Sequence, residues 1–247
     1  MEPSENPKSP YGEIIVPKSK LSLFFENIWY HYKWHIIIIA FFVLVFGVCF
    51  VQCLETEQPD VVVTYAGGYT LSSSEVNTFN QIFKGLLNKS ANGAESIVAL
   101  THYSIYTQDE LYQMYYGDGT EENGAASLAY NSARQANVNN ASQFSSFLLT
   151  GETAILFVSE WVYQNKINTE RMMTLDSVLG YTPKEAVDAY AVKLCDTELY
   201  KSYEALQVLP KDTLILFARP TVAGATADED VYAIHKELFR SMIEYQP

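Results

Sequence analysis

Apolar residues are distributed along this chain in two ways. From Ile36 to Leu54 they form a continuous run without a formal charge, in which Gln52 is the only strongly polar residue. Beyond residue 55 they fall into short β-branched or apolar runs separated by amphipathic stretches. The long run has no polar face, so it does not fit a helix of a soluble core. At about 1.5 Å per residue it would extend about 28 Å, close to a hydrocarbon layer of roughly 30 Å. A cleavable signal fits less well: the run is longer than the usual apolar region of about 7–15 residues. Thirty-five residues precede it, and no Ala-x-Ala-like site follows. The pattern predicts a single-pass signal-anchor transmembrane helix over 36–54.

In the remainder, Asp60–Ala66 reads as a buried strand. Ser72-Ser73-Ser74-Glu75 reads as a capping box opening a helix with a stripe at Val76, Phe79, Phe83 and Leu86. Ser96–Thr101 is a second strand and Asp109–Tyr116 a helix. Ser127–Leu149 is helix-compatible, with Asn139-Asn140 expected to bend or interrupt it. Thr153–Val158 is the clearest strand and runs into a helix capped by Ser159. Asp176–Pro183 reads as loop and Lys184–Ala189 as a short helix. Ala191–Leu194 reads as strand, Thr197–Leu209 as helix, Thr213–Ala218 as strand and Asp228–Glu244 as a terminal helix. His235 shares a face there with Val231, Leu238 and Met242, and is expected at a core edge. Alternating strands and helices predict an α/β fold: a mainly parallel sheet with helices on both faces.

Charge sets the orientation. Lys8, Lys18, Lys20 and Lys33 precede the apolar run, whereas Glu55, Glu57 and Asp60 follow it. The positive-inside rule puts the N-terminus in the cytoplasm and residues 55–247 outside the cell. The segment WYHYKWH before the run reads as an interfacial belt; His31 and His35 are read as part of it rather than as a metal pair. The four-part organisation is a disordered cytoplasmic tail (1–20), a juxtamembrane amphipathic segment (21–35), the transmembrane helix (36–54) and an extracellular α/β domain (55–247). That domain holds 12 Lys+Arg against 25 Asp+Glu. Such a balance disfavours nucleic acid and anionic lipid as partners, and leaves cationic partners or a plainly solvated surface.

Catalytic signals are sparse. No GxSxG, HExxH, phosphate-binding loop or paired Cys/His spacing occurs. Gly117–Gly124 has acidic residues but lacks the calcium-loop glycine and bidentate acid, so it reads as a solvated turn. Cys195 stands alone in the outer domain and is read as an inert thiol. Neither cofactor nor metal is expected, and the chain is read as a non-enzyme. Ligands of open α/β sheets lie at the carboxyl ends of strands. Two such ends stand out: Tyr65, Gly67, Gly68 and Tyr69 in TYAGGYT, and Ser159, Glu160 and Trp161 in FVSEWVY. For the glycines, a plain strand-to-helix turn is the competing reading; for Trp161, core packing.

The segment GETAILFVSEWVYQNK followed by MMTLDSVLG resembles extracellular solute-binding proteins of the type 2 periplasmic-binding fold. In that family the strand crosses the sheet and the next turn edges the ligand cleft. The chain also resembles small single-span bacterial membrane proteins, which carry a WYHYKWH-like lead-in, the strand end Tyr65-Ala66-Gly67-Gly68-Tyr69 and a segment like Leu179–Pro183. The resemblance implies a solute-binding-protein-like lobe held at the cell membrane. The expected function is binding of a small solute, a peptide or a partner protein. A ligand-free assembly role beside another membrane protein is the alternative, and a hydrolase the remaining one.

Overall fold

The computed structural model describes residues 20–55, 59–90, 97–117 and 124–247. The expected tail, apart from Lys20, and most of the acidic loop after Gly117 lie outside them. The chain divides into two compact units, Met1–Glu57 and Gln58–Pro247.

The described part of the first unit is a single helix, α1 (Lys20–Glu55). The juxtamembrane segment and the apolar run are therefore one continuous rod. Its stretch Tyr32–Phe50 is long and apolar enough to cross a membrane, and none of it is buried.

The second unit is an α/β fold built on one five-stranded sheet. In chain order its elements are β1 (Val61–Gly67), α2 (Ser73–Ser90), β2 (Val98–Ser104), α3 (Gln108–Tyr116), α4 (Gly124–Thr150), β3 (Ile155–Ser159) and α5 (Glu160–Lys166). Then come α6 (Leu175–Leu179), β4 (Ala191–Lys193), α7 (Glu198–Ser202), β5 (Thr213–Phe217) and α8 (Glu229–Ile243). The strand order is β2-β1-β3-β5-β4. β1 pairs in parallel with β2 and β3, whereas β5 pairs antiparallel with β3 and β4. The sheet is thus mixed: β5 alone runs against the others, and half of the pairings are antiparallel.

Alternation along each strand divides the core in two. Val61, Val63, Tyr65, Ile155, Phe157, Ile215 and Phe217 face α2, α6, α7 and α8 in the larger cluster. There Phe83 meets Phe157 with centroids 5.7 Å apart, and Phe217 meets Phe239 at 5.0 Å. Ala66, Leu156, Val158, Leu214 and Leu216 face α4 and α5 in a smaller cluster. His235 of α8 is fully buried. Its Nε2 accepts from the Val62 N–H at 3.3 Å while Nδ1 lies 2.9 Å from the Val231 carbonyl, tying α8 to β1.

Four local expectations are corrected. Asn139-Asn140 does not interrupt α4, because Asn140 turns inward and donates to the Ser104 carbonyl at 3.0 Å. Asp176–Pro183 is not all loop: Leu175, Val178 and Leu179 bury one face of α6, and Gly180 ends it in the left-handed region (φ 87°). Lys184–Ala189 is not a helix. Val187 donates to Ala191, Lys193 donates to Glu185, and Asp188 accepts from Tyr190 and Ala191, folding the segment back on β4. The helix expected over Thr197–Leu209 is split by extended Tyr203 into α7 and the 3-10 turn Glu204–Val208.

Candidate ligand groove

The parallel strands end at Gly67, Ser104 and Ser159 on one edge of the sheet. Two capping boxes stand there. Ser72 Oγ accepts from the Glu75 N–H at 3.3 Å while Glu75 Oε2 accepts from the Ser72 N–H at 2.7 Å. Thr107 and Glu110 repeat the pattern at α3, at 3.1 and 2.6 Å. The signal for the second box is the T-x-x-E spacing at 107–110, a pattern the strand and helix periods do not reveal.

The two glycines make room for the protein's own side chains. A Cβ on Gly67 would lie 2.7 Å from Tyr65 Oη and 3.3 Å from Ser159 Cβ. A Cβ on Gly68 would lie 2.9 Å from Glu110 Oε1. Tyr65, Gly67 and Ser159 are therefore together, but the space over the glycines is filled from within. Tyr65 is fully buried, and its hydroxyl has no hydrogen-bond partner among the described residues. Burial, aided by the negative charge of Asp212, pushes its pKa far up, and the nearby Tyr69 amide offsets this only in part. Thr213 Oγ1, opposite Ser159 in the β3–β5 pairing, is likewise buried without a partner among the described residues. Tyr69 donates to Glu75 Oε1 at 2.7 Å. That contact raises the phenol's pKa, whereas hydrogen bonds from Ser72 chiefly lower that of Glu75.

Ser159 caps α5, accepting from the Val162 N–H at 3.3 Å. Glu160 is exposed; its amide donates to Asp212 Oδ2 at 3.4 Å, and its carboxylate accepts from Gln164. Trp161 stands apart from the glycines. It is 36% exposed, so neither core filler nor fully free, and Lys166 Nζ lies 5.4 Å from its ring centroid.

Trp161 lines a recess of about 410 Å³ between α4, α5 and the end of β2, with Tyr106, Leu111, Arg134 and Ala141 among its walls. A second recess of about 550 Å³ continues along α4 to Leu149, walled on the far side by Arg171, Met172 and Arg219. Ser145 and Lys166 belong to both, so the two form one groove. The groove exists because α4 is held to the sheet at few points. Of its described residues only Phe144 is buried, packed on Tyr103 at a centroid distance of 5.7 Å. Tyr106 joins the groove to the sheet edge, its hydroxyl 2.8 Å from Thr70 Oγ1.

Among the described residues, no group of three His, Cys, Asp or Glu could hold a metal ion. Comparison with protein-family models, with curated proteins and with solved structures found no match to this chain.

Proposed function

We propose that the chain is a membrane-tethered binding protein without catalytic activity, and that its ligand lies in the groove along α4. The observation that carries this reading is the groove itself. It is long and mostly apolar, its first recess opens at the carboxyl edge of the parallel strands while the second reaches their amino edge beside Thr153 and Ala218, and it holds a half-exposed tryptophan beside a lysine. Pockets of this size with a few convergent polar groups are the usual ligand sites of α/β folds. The likeness to a solute-binding lobe fits a site at this edge. The tether is α1, with Lys8, Lys18, Lys20 and Lys33 holding the N-terminus in the cytoplasm and the α/β unit outside.

The test uses the full-length protein in micelles with Trp29 and Trp34 changed to Phe, so that emission reports Trp161 alone. A panel of peptides, sugars and amino acids is screened. The expected result is a shift of Trp161 emission with at least one class, lost in Ser145→Phe, which fills the junction of the two recesses. A silent Trp161 across the panel, with no change in thermal midpoint, overturns the reading. For orientation, protease added to intact cells should digest the α/β unit; its survival there overturns the outside placement.

A further inference from the structure

We infer that the groove receives an extended polypeptide segment in which acidic and apolar residues are mixed, an inference that rests on the binding reading above. The charge of the lining runs against that of the domain. Residues 55–247 carry 25 acids and 12 bases, yet the charged residues of the groove are Arg134, Lys166, Arg171 and Arg219 against Glu170 alone. None of those four cations forms an ion pair among the described residues, where the bridges are made by Lys184, Lys201 and Arg240. Arg219 spends one donor on the Met172 carbonyl at 3.1 Å, and Lys166 sits over Trp161. An acidic protein that gathers in an apolar groove cations without ion pairs among the described residues has a site complementary to carboxylates.

Spacing selects the occupant. Arg134 stands in the first recess, Lys166 at the junction, and Arg171 and Arg219 in the second. The lining of α4 from Arg134 to Leu149 extends about 22 Å, a length that an extended chain covers in roughly seven residues. Between the cations the walls are apolar, with Leu111, Trp161, Leu148 and Met172. A segment with carboxylates separated by apolar side chains matches both. A polyphosphate would leave the apolar walls uncovered. A nucleic acid or an anionic bilayer would bring much of its charge against a domain of net −13, beyond the groove's screened reach of about 8 Å. A single amino acid would engage one recess only.

The experiment uses full-length protein in nanodiscs of zwitterionic lipid and two fluorescein-labelled peptides of about seven residues. One alternates Glu with Leu or Phe; the other has Gln at every Glu. The acidic peptide is expected to bind at least about tenfold more tightly by anisotropy, to weaken as salt rises, and to lose binding in the triple variant Arg134→Glu, Lys166→Glu, Arg171→Glu. These cations are exposed, and an unchanged thermal midpoint verifies that the variant folds. Equal binding of both peptides, or retention by the triple variant, overturns the inference. If both bind equally and Ser145→Phe abolishes both, the groove remains the site and only the acidic assignment falls. If neither peptide binds and Trp161 is silent, the binding reading falls with it. Occupancy by a short polyphosphate or a phosphatidylglycerol vesicle, with neither peptide bound, also overturns it.

Discussion

Asn137 holds Tyr106 by both of its backbone groups: the Tyr106 N–H donates to Asn137 Oδ1, and the Asn137 amide donates to the Tyr106 carbonyl, each at 2.8 Å. β2 ends two residues earlier, at Ser104. A helix side chain thus takes over the hydrogen bonding that a neighbouring strand would have supplied. The contact fixes one wall of the groove to its rim, because Tyr106 lines the recess and Asn137 belongs to α4.

Asn137→Ala should therefore destabilise the α/β unit by about 2 kcal/mol, since it removes two hydrogen bonds and strands two half-buried backbone groups. Asn139→Ala, on the exposed side of the same helix, should stay within about 0.5 kcal/mol. Urea unfolding of the two variants compares them directly, and equal effects would remove Asn137 from its structural role.

Gly67→Ala should destabilise by about 1–3 kcal/mol, because the new methyl group meets the Tyr65 hydroxyl at 2.7 Å inside a closed core. Tyr65→Phe should be neutral or slightly stabilising, since the hydroxyl it removes has no partner. The double variant should recover much of the loss. A double-mutant cycle measures this coupling, and strict additivity would mean that the clash lies elsewhere.

His235 gives the fold a pH dependence of definite sign. Burial is the main reason that its pKa is lowered, and the Val231 carbonyl opposes this in part. The Val62 N–H needs a lone pair on Nε2, which fits the neutral ring. The unfolded chain therefore takes up the proton more readily. Stability is full above the ordinary histidine value of about 6.5 and falls as pH drops below it. Unfolding midpoints measured between about pH 7.5 and 5 should decline, and His235→Leu should flatten that decline. A midpoint rising on acidification would contradict the buried neutral ring.

Phe144→Ala should cost about 3–4 kcal/mol, because it removes the buried anchor of α4. Leu149→Ala, at an exposed position, should change stability by less than about 0.5 kcal/mol. Hydrogen exchange along α4 should rise in the first variant and not in the second. Uniform protection in both would mean that α4 is held by something other than its packing on Tyr103.

The edge residues singled out in the sequence met different fates. Ser159 is a cap, as its place between an apolar strand and a charged helix start indicated. Tyr65, Gly67 and Gly68 are a packing device: the glycines yield space to Tyr65 Oη and Glu110, side chains from two and 42 positions along the chain. Trp161 alone faces the groove. The cations Arg134, Lys166, Arg171 and Arg219 gave no signal in sequence, being scattered over 86 positions among more numerous acids.

The sequence alone determined whatever depends on neighbours in the chain. The apolar rod, the strands over Val61–Gly67, Ile155–Ser159 and Thr213–Phe217, the capped start of α2 and the buried face of α8 all follow from local period and hydrogen-bonding residues. Tertiary structure decided the rest. The reversal of β5, the uninterrupted run of α4 past two asparagines, the return of Lys184–Ala189 onto β4 and the groove each depend on a partner distant in sequence. Local propensity differs by less than about 1 kcal/mol per residue between such alternatives, whereas a buried backbone group left unpaired costs about 1–3 kcal/mol, so the distant partner prevails.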